Sequence, residues 1–331
     1  MRFLFRKLIS QRLLPIARFS TANANEVKNV DDDKGVENSD QIRKNIVVEK
    51  YGAITTINID RQKTRNSLNE ATLREMTTAI DDFDADTEAK VLLINGEGGS
   101  FCSGFDIDEL GEKGWMCLQD AGSRLCRRPL CEKPTIAAVA GYAVGEGFEL
   151  ALACDLRVIE DTAMLGCLGR RFGSPQSLAG SRRLTSLIGL SQALDLLITG
   201  RLISGKEAHA KGLATKLTAT GTALGEAVKL AKSLIKFPQS ALIMDKLAAI
   251  NSQLDENSDE RMRDEALWFS YETQALEDLK EGVKKFQAGI GKHGKFYKLT
   301  QVTLKDWELE DSIEETIVIE DEEDSKAKPK S

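Results

Sequence analysis

The stretch that most constrains this chain is KPTIAAVAGYAVGEGFELALACD, residues 133–155. Residues 134–139 form a short apolar run that suits a fully buried strand. Gly141, Gly145 and Gly147 punctuate a turn, and residues 148–154 are a compact run of helix formers interrupted by one carboxylate, Glu149. A helix that opens directly on a glycine turn presents free backbone N–H groups, and its dipole adds partial positive charge there. Such a place suits an anion or a developing oxyanion. Glu149 sits among Phe148, Leu150, Ala151 and Leu152. Burying it ionised is costly, so its pKa is expected to rise, which poises it for general acid–base work. A place on the helix's solvent face, or a cap on a neighbouring loop, is the structural alternative, and local composition leaves both open.

The segments around this stretch alternate strand and helix. Residues 46–59 read as a β-hairpin turning at Tyr51 and Gly52. A basic loop, RQKTRN, follows at 61–66. Asn69 is placed to cap a helix whose Leu73, Met76, Ile80 and Phe83 share one face. KVLLIN at 90–95 is a buried strand. It leads into GEGGSFCSGFDIDEL at 96–110, a glycine-rich loop whose backbone can approach a ligand closely. The loop lacks the GxGxxG order of a dinucleotide site and the GK[ST] of a P-loop. Residues 111–132 read as a helix-rich wall, with Arg124, Arg127 and Arg128 on a solvated face. Residues 156–159 are another buried strand. A helix opens at Ser191 and ends at Gly200; Ser204 and Glu207 form a capping box on a short helix closed by Gly212, with His209 on its surface. Amphipathic helices follow at 223–236 and 240–254, and a long one from about residue 260 carries Leu276, Leu279, Val283 and Phe286 at helical spacing.

The two ends differ from the middle. Residues 1–19 carry Arg2, Arg6, Lys7, Arg12 and Arg18 with no acid, and the apolar residues are interspersed rather than gathered into one block. That is the composition of a mitochondrial transit peptide, with Arg18, Phe19 and Ser20 as a processing site. Without those five cations the formal charge moves from −7 to −12. An acidic protein of this kind argues against general nucleic-acid binding. Residues 20–45 are polar and read as a disordered linker; residues 299–331 are acid-rich and read as a solvating tail. No stretch approaches the apolar length of a membrane span. Six cysteines without CxxC pairs and two histidines fit neither a disulfide framework nor a structural zinc site, and no other metal motif is visible.

Three stretches carry a family resemblance: RQKTRNSLN at 61–69, GSFCSGFDIDEL at 99–110, and KPTIAAVAGYAVGEGFELALACDLRV at 133–158. Together they make the chain resemble the crotonase superfamily of enoyl-CoA hydratases and isomerases, over about residues 46–298. The resemblance implies an α/β fold, a crotonase-like spiral of ββα units with a C-terminal helical trimerisation region. It implies an acyl-CoA thioester as substrate, with coenzyme A entering as part of that substrate and no other cofactor, and a homotrimer or homohexamer. It also implies an oxyanion hole of two backbone N–H groups, which fall on Ser103 and on Glu146, where the family carries glycine. The acid–base glutamate of the hydratases falls on Glu149. Their second glutamate falls on Gly169, so a two-carboxylate water addition is not supported. Candidate contacts to CoA are Arg61, Lys63, Asp106, Ile107 and Lys295, the last with an exposed basic turn as the alternative.

The expected organisation is a leader at 1–19, a linker at 20–45, a spiral core at 46–240, C-terminal helices at 241–298 and an acidic tail at 299–331. The expected protein is a mitochondrial matrix enzyme of the hydratase/isomerase group that stabilises a thioester enolate. A non-catalytic CoA-binding or scaffold protein, and a thioester hydrolase or decarboxylase on the same fold, are the alternatives. The absence of a serine-hydrolase elbow disfavours conventional serine hydrolysis.

Overall fold

Strands β1 (Ile46–Tyr51) and β2 (Ile54–Ile59) form the expected hairpin, antiparallel with Tyr51 opposite Ile54. Gly52 takes φ +59° in its turn, a left-handed conformation that glycine adopts without a Cβ penalty. The structure is a computed structural model, and it describes residues 45–252 and 273–287. The main sheet has six strands in the order β1, β2, β3 (Val91–Gly96), β4 (Thr135–Val139), β6 (Leu156–Glu160) and β9 (Lys216–Thr218). All neighbours after the hairpin are parallel. Parallel neighbours need crossovers, and these carry helices α1 (Glu70–Ala85), α2 (Ile107–Lys113), α3 (Trp115–Ala121) and α4 (Glu146–Ala153). A second sheet of three short strands, β5 (Tyr142–Val144), β7 (Met164–Gly166) and β8 (Ile203–Ser204), lies in the order β5-β7-β8.

Strand alternation splits the interior into two cores. Ile57, Leu92, Ile94, Ala137, Val139 and Ile159 face the larger core with Leu73, Met76, Ile80 and Phe83 of α1. Their chain neighbours Val91, Leu93, Ile136, Ala138 and Val158 face the smaller one, covered by Ala223, Ala227 and Ala231 of α7 (Ala223–Leu234). Both faces of the sheet are therefore buried, which is why β3 and β4 read as mainly apolar runs, while β2 buries Thr55, Thr56 and Asn58 beside its isoleucines. Asn69 caps α1 as expected, accepting from the Thr72 N–H at 2.8 Å. Ser204 caps α6 (Gly205–Ala210), accepting from Glu207 N–H at 3.2 Å.

Three boundaries differ from expectation. The glycine turn at 141–147 contains strand β5, and α4 starts at Glu146 rather than Phe148, so Glu146 stands in the helix's first turn. The helix expected from Ser191 is the second half of α5 (Gly180–Thr199), interrupted at Gly189, where φ is +77°. Sequence periodicity fails at such a break because the two halves present different faces. Helices α8 (Gln239–Ser252) and α9 (Thr273–Gln287) complete the described fold. The leader, the acidic tail, Lys295, nearly all of the linker and the start of the last long helix lie outside the described residues. Among the described residues no helix is long and apolar enough to cross a membrane. Nor does any group of three or more His, Cys, Asp and Glu there form a metal-binding cluster. All six cysteines are free thiols.

Candidate active site

Three separated stretches meet at the start of α4. The loop 101–106 is stitched on one side to β5 and its flank, through Phe101 N–H to Ala140 O, Cys102 N–H to Tyr142 O and Val144 N–H to Cys102 O. On the other side it is stitched to the 61–69 loop, through Leu68 N–H to Gly104 O, Asp106 N–H to Leu68 O and Ser103 N–H to Arg65 O. The approach is close. A Cβ on Gly147 would stand 2.3 Å from Cys102 O, so only glycine lets the first turn of α4 lie against that loop.

A cavity of about 200 Å³ opens where these segments join, bounded by Arg65, Ser103, Phe105, Tyr142, Glu146 and Gly169 among others. Its walls are mainly apolar side chains and backbone, and among the lining residues Glu146 alone carries a carboxylate. Arg65 and Tyr142 stand at this site in a cation–π contact, with the guanidinium carbon 5.2 Å from the ring centroid.

Glu149 occupies a different place. It is completely buried and does not line the cavity. One carboxylate oxygen accepts from Ser177 N–H at 2.9 Å; the other accepts from Leu178 N–H at 2.8 Å and Gly180 N–H at 2.6 Å. Gly180 opens α5, so Glu149 satisfies an orphan donor at that helix's N-terminus, where negative charge is favoured. Burial pushes its pKa up to about 7, the charge of Glu146 adds to the rise, and the three amides pull against it. The buried Arg183 feels the Glu149 charge; its own hydrogen bonds go to carbonyls, Leu178 O, Leu125 O and Arg127 O. The environment expected for a poised acid is present, but it staples α4 to α5 and sits behind the cavity wall.

Glu146 is the one acidic residue among those lining the cavity. It is 5% exposed. One oxygen accepts from Phe105 N–H at 3.0 Å and the other from the Ser177 hydroxyl at 3.2 Å. Its own backbone N–H also faces its carboxylate, and burial raises its pKa against these donors. The side chain lies over Gly104, where an added Cβ would come within 2.9 Å of it. Ser103 lines the cavity as expected. Of the two expected oxyanion donors, the Ser103 N–H is engaged with Arg65 O at 3.1 Å. Gly169 also lines the cavity, and a Cβ there would press on Ser174 O at 3.0 Å. The position where the resemblance places a second acid thus brings no carboxylate to the cavity, and the Ser174 backbone lies close against it.

The other named residues divide. Arg61 and Asp106 form an ion pair at 2.9 Å, joined by Ser67, whose hydroxyl bonds both partners. Asp106 also caps α2 and its carboxyl is held below the usual carboxylate range: burial opposes this, but Arg61, Ser67 and the Glu109 N–H prevail. Arg61 and Asp106 are therefore spent on fixing the loops. Ile107 is 65% exposed and lines the cavity. Lys63 is exposed on a short 3₁₀ turn away from the lining, and Lys295 lies outside the described residues. Sequence reading missed the side chain of Glu146, treating it as a backbone donor, and missed Ser177, a turn serine with no pattern to mark it.

Comparison with known proteins gives one consistent picture. The family model described as enoyl-CoA hydratase/isomerase matches residues 49–289. A probable enoyl-CoA hydratase of Mycobacterium leprae is 34% identical over 243 residues, which cover 73% of this chain and 94% of that protein. A probable mitochondrial enoyl-CoA hydratase of Dictyostelium discoideum is 32% identical over 243 residues, covering 72% of this chain and 86% of that protein. The crystal structure of an enoyl-CoA hydratase from Mycobacterium tuberculosis superposes with a TM-score of 0.66 at 30% identity, covering 75% of this chain and 97% of that one.

Proposed function

The chain belongs to the enoyl-CoA hydratase/isomerase family, and on that premise we propose that it is an acyl-CoA-binding enzyme of this group. It polarises a thioester carbonyl and moves a proton at the neighbouring carbons, in mitochondrial fatty-acid or acyl-CoA metabolism. The observation that carries the reading is the mainly apolar cavity at the N-terminus of α4, with one carboxylate in its lining. Apolar walls suit an acyl chain, and a helix start with backbone donors suits a developing oxyanion. Coenzyme A enters as part of the substrate, and the reaction class needs no resident metal or cofactor. Ile107 and the loop held by the Arg61–Asp106 pair flank the thioester end. The basic leader and the similarity to the Dictyostelium protein support a matrix location. Exposed apolar residues on α5 and α9, such as Leu190, Ile198 and Leu279, support assembly as a homotrimer or homohexamer.

A second reading, binding without turnover, is favoured by one observation: the expected oxyanion N–H of Ser103 already has a partner in Arg65 O. Assaying the protein against a panel of 2-enoyl-CoA and 3-enoyl-CoA thioesters, with calorimetric binding beside it, separates the two. Turnover of any member is the expected result. Binding without turnover supports the second reading, and neither binding nor turnover overturns both.

A further inference from the structure

The geometry points to the side-chain carboxyl of Glu146, rather than Glu149 or a residue at 169, as the catalytic group that moves the proton at the carbon next to the thioester; this rests on reading the cavity as an acyl-thioester site. Three observations converge. Glu146 is the acidic residue of the cavity lining, whereas Glu149 is absent from the lining and fully buried, with both oxygens on the amides of residues 177, 178 and 180. Residue 169 is a glycine, so no side chain from that position supplies a base, and a Cβ there would come within 3.0 Å of Ser174 O. Ser177 joins the two acids, donating its hydroxyl to Glu146 and its N–H to Glu149, so the anchored acid fixes the turn that orients the working one. Glu149 is in this sense a positioning residue.

The step balances within the site. A Glu146 oxygen takes the proton from the carbon α to the thioester carbonyl. The C–H electron pair becomes the enolate double bond, and the carbonyl π pair moves to oxygen. The negative charge leaves the carboxylate as it appears on the thioester oxygen, so the net charge of the cavity is unchanged. The N–H of Phe105, which held the carboxylate, is released beside the new oxyanion. The reverse transfer returns the proton to carbon. Burial favours this exchange, because a partly desolvated carboxylate is a stronger base than one in water.

The test uses the full protein with butyryl-CoA, a saturated thioester that can exchange its α protons but cannot be hydrated. Exchange of those protons in deuterated water is followed by NMR, with the dissociation constant measured beside it. Glu146→Gln is expected to bind butyryl-CoA within a few-fold of wild type and to lose exchange by roughly 10²–10⁴-fold, the range of general acid–base contributions. Glu146→Asp is expected to keep part of the rate. Circular dichroism melting of each variant separates loss of chemistry from loss of fold. Exchange that survives in Glu146→Gln overturns the assignment. So does a faster rate in Glu146→Gly, which would make the carboxylate an obstruction rather than a base. Wild-type binding without exchange overturns it while the acyl-CoA reading stands; no wild-type binding overturns that reading as well.

Discussion

Two carboxylate oxygens of Glu149 face three backbone N–H groups, so an amide nitrogen in place of either oxygen sets a donor against a donor. Glu149→Gln is accordingly expected to cost about 1–3 kcal/mol of stability, the range for an unsatisfied buried polar group, in urea or thermal unfolding. Its rate per folded molecule should fall less than that of Glu146→Gln. The pH dependence has a definite sign. The Glu149 carboxyl titrates near 4.5 when unfolded and is pushed up to about 7 by burial and then by Glu146. Between those values the folded state holds the extra proton, so the stabilisation is full below the lower value and is lost as pH rises through the upper one. Urea unfolding of the wild type should show stability declining between about pH 5 and about pH 8, with a shallower decline in Glu149→Gln. Equal slopes would show that this carboxyl does not carry the dependence. The neighbourhood of Glu149 was half legible in sequence: one acid among apolar residues of a short helix suggests burial and a raised pKa, but the same composition allows a solvent-facing place or a cap on a neighbouring loop. Its direction was not legible, because the amides that hold it come from a turn at 177–180 that no local pattern connects to it.

Elements converge on the site through close backbone contacts rather than long side chains. A Cβ on Gly180 would stand 2.4 Å from Glu149 Cγ, so the start of α5 touches α4 without a gap. Gly180→Ala should cost about 1–3 kcal/mol by overpacking, visible as a lowered melting temperature, and an unchanged melting point would mean the contact relaxes freely. The cap on α1 gives a smaller and separate effect: Asn69→Ala removes the acceptor for Thr72 N–H and should cost about 1 kcal/mol. Strands β2, β3 and β4, the α1 cap and the Ser204 cap of α6 were all readable, because alternation, helical spacing and capping chemistry are local; of the expected capping box only the Ser204 half forms, the Glu207 carboxylate bonding Arg201 instead. The start of α4 was misplaced because glycines at 141, 145 and 147 read as one continuous turn, while β5 and the first helical turn are fixed by pairing with Cys102 and with β7. That shift moves Glu146 from a loop into the first turn of a helix at the cavity lining.

At the scale of the molecule, a sheet buried on both faces presents its loops at the edge where α4 begins, and the family identity rests on that frame. The fold was legible because three sequence stretches far apart in the chain are the same three that the hydrogen bonds of residues 101–106 tie together. The chemistry was less so: the residues at 146 and 169 depart from the expected pattern, and only their surroundings show which acid meets the cavity. Light scattering should give a particle of three or six chain masses, and a monomer would remove the assembly reading. The most direct test of the central claim is a crystal structure with acetoacetyl-CoA bound. The account predicts the acyl group in the cavity between Ser103 and Gly169, its α carbon within about 3.5 Å of the Glu146 carboxylate, the distance of a near-attack arrangement, and Glu149 still held by the 177–180 amides. An acyl group seated against Glu149 with Glu146 turned away, or a thioester bound outside this cavity, would contradict it.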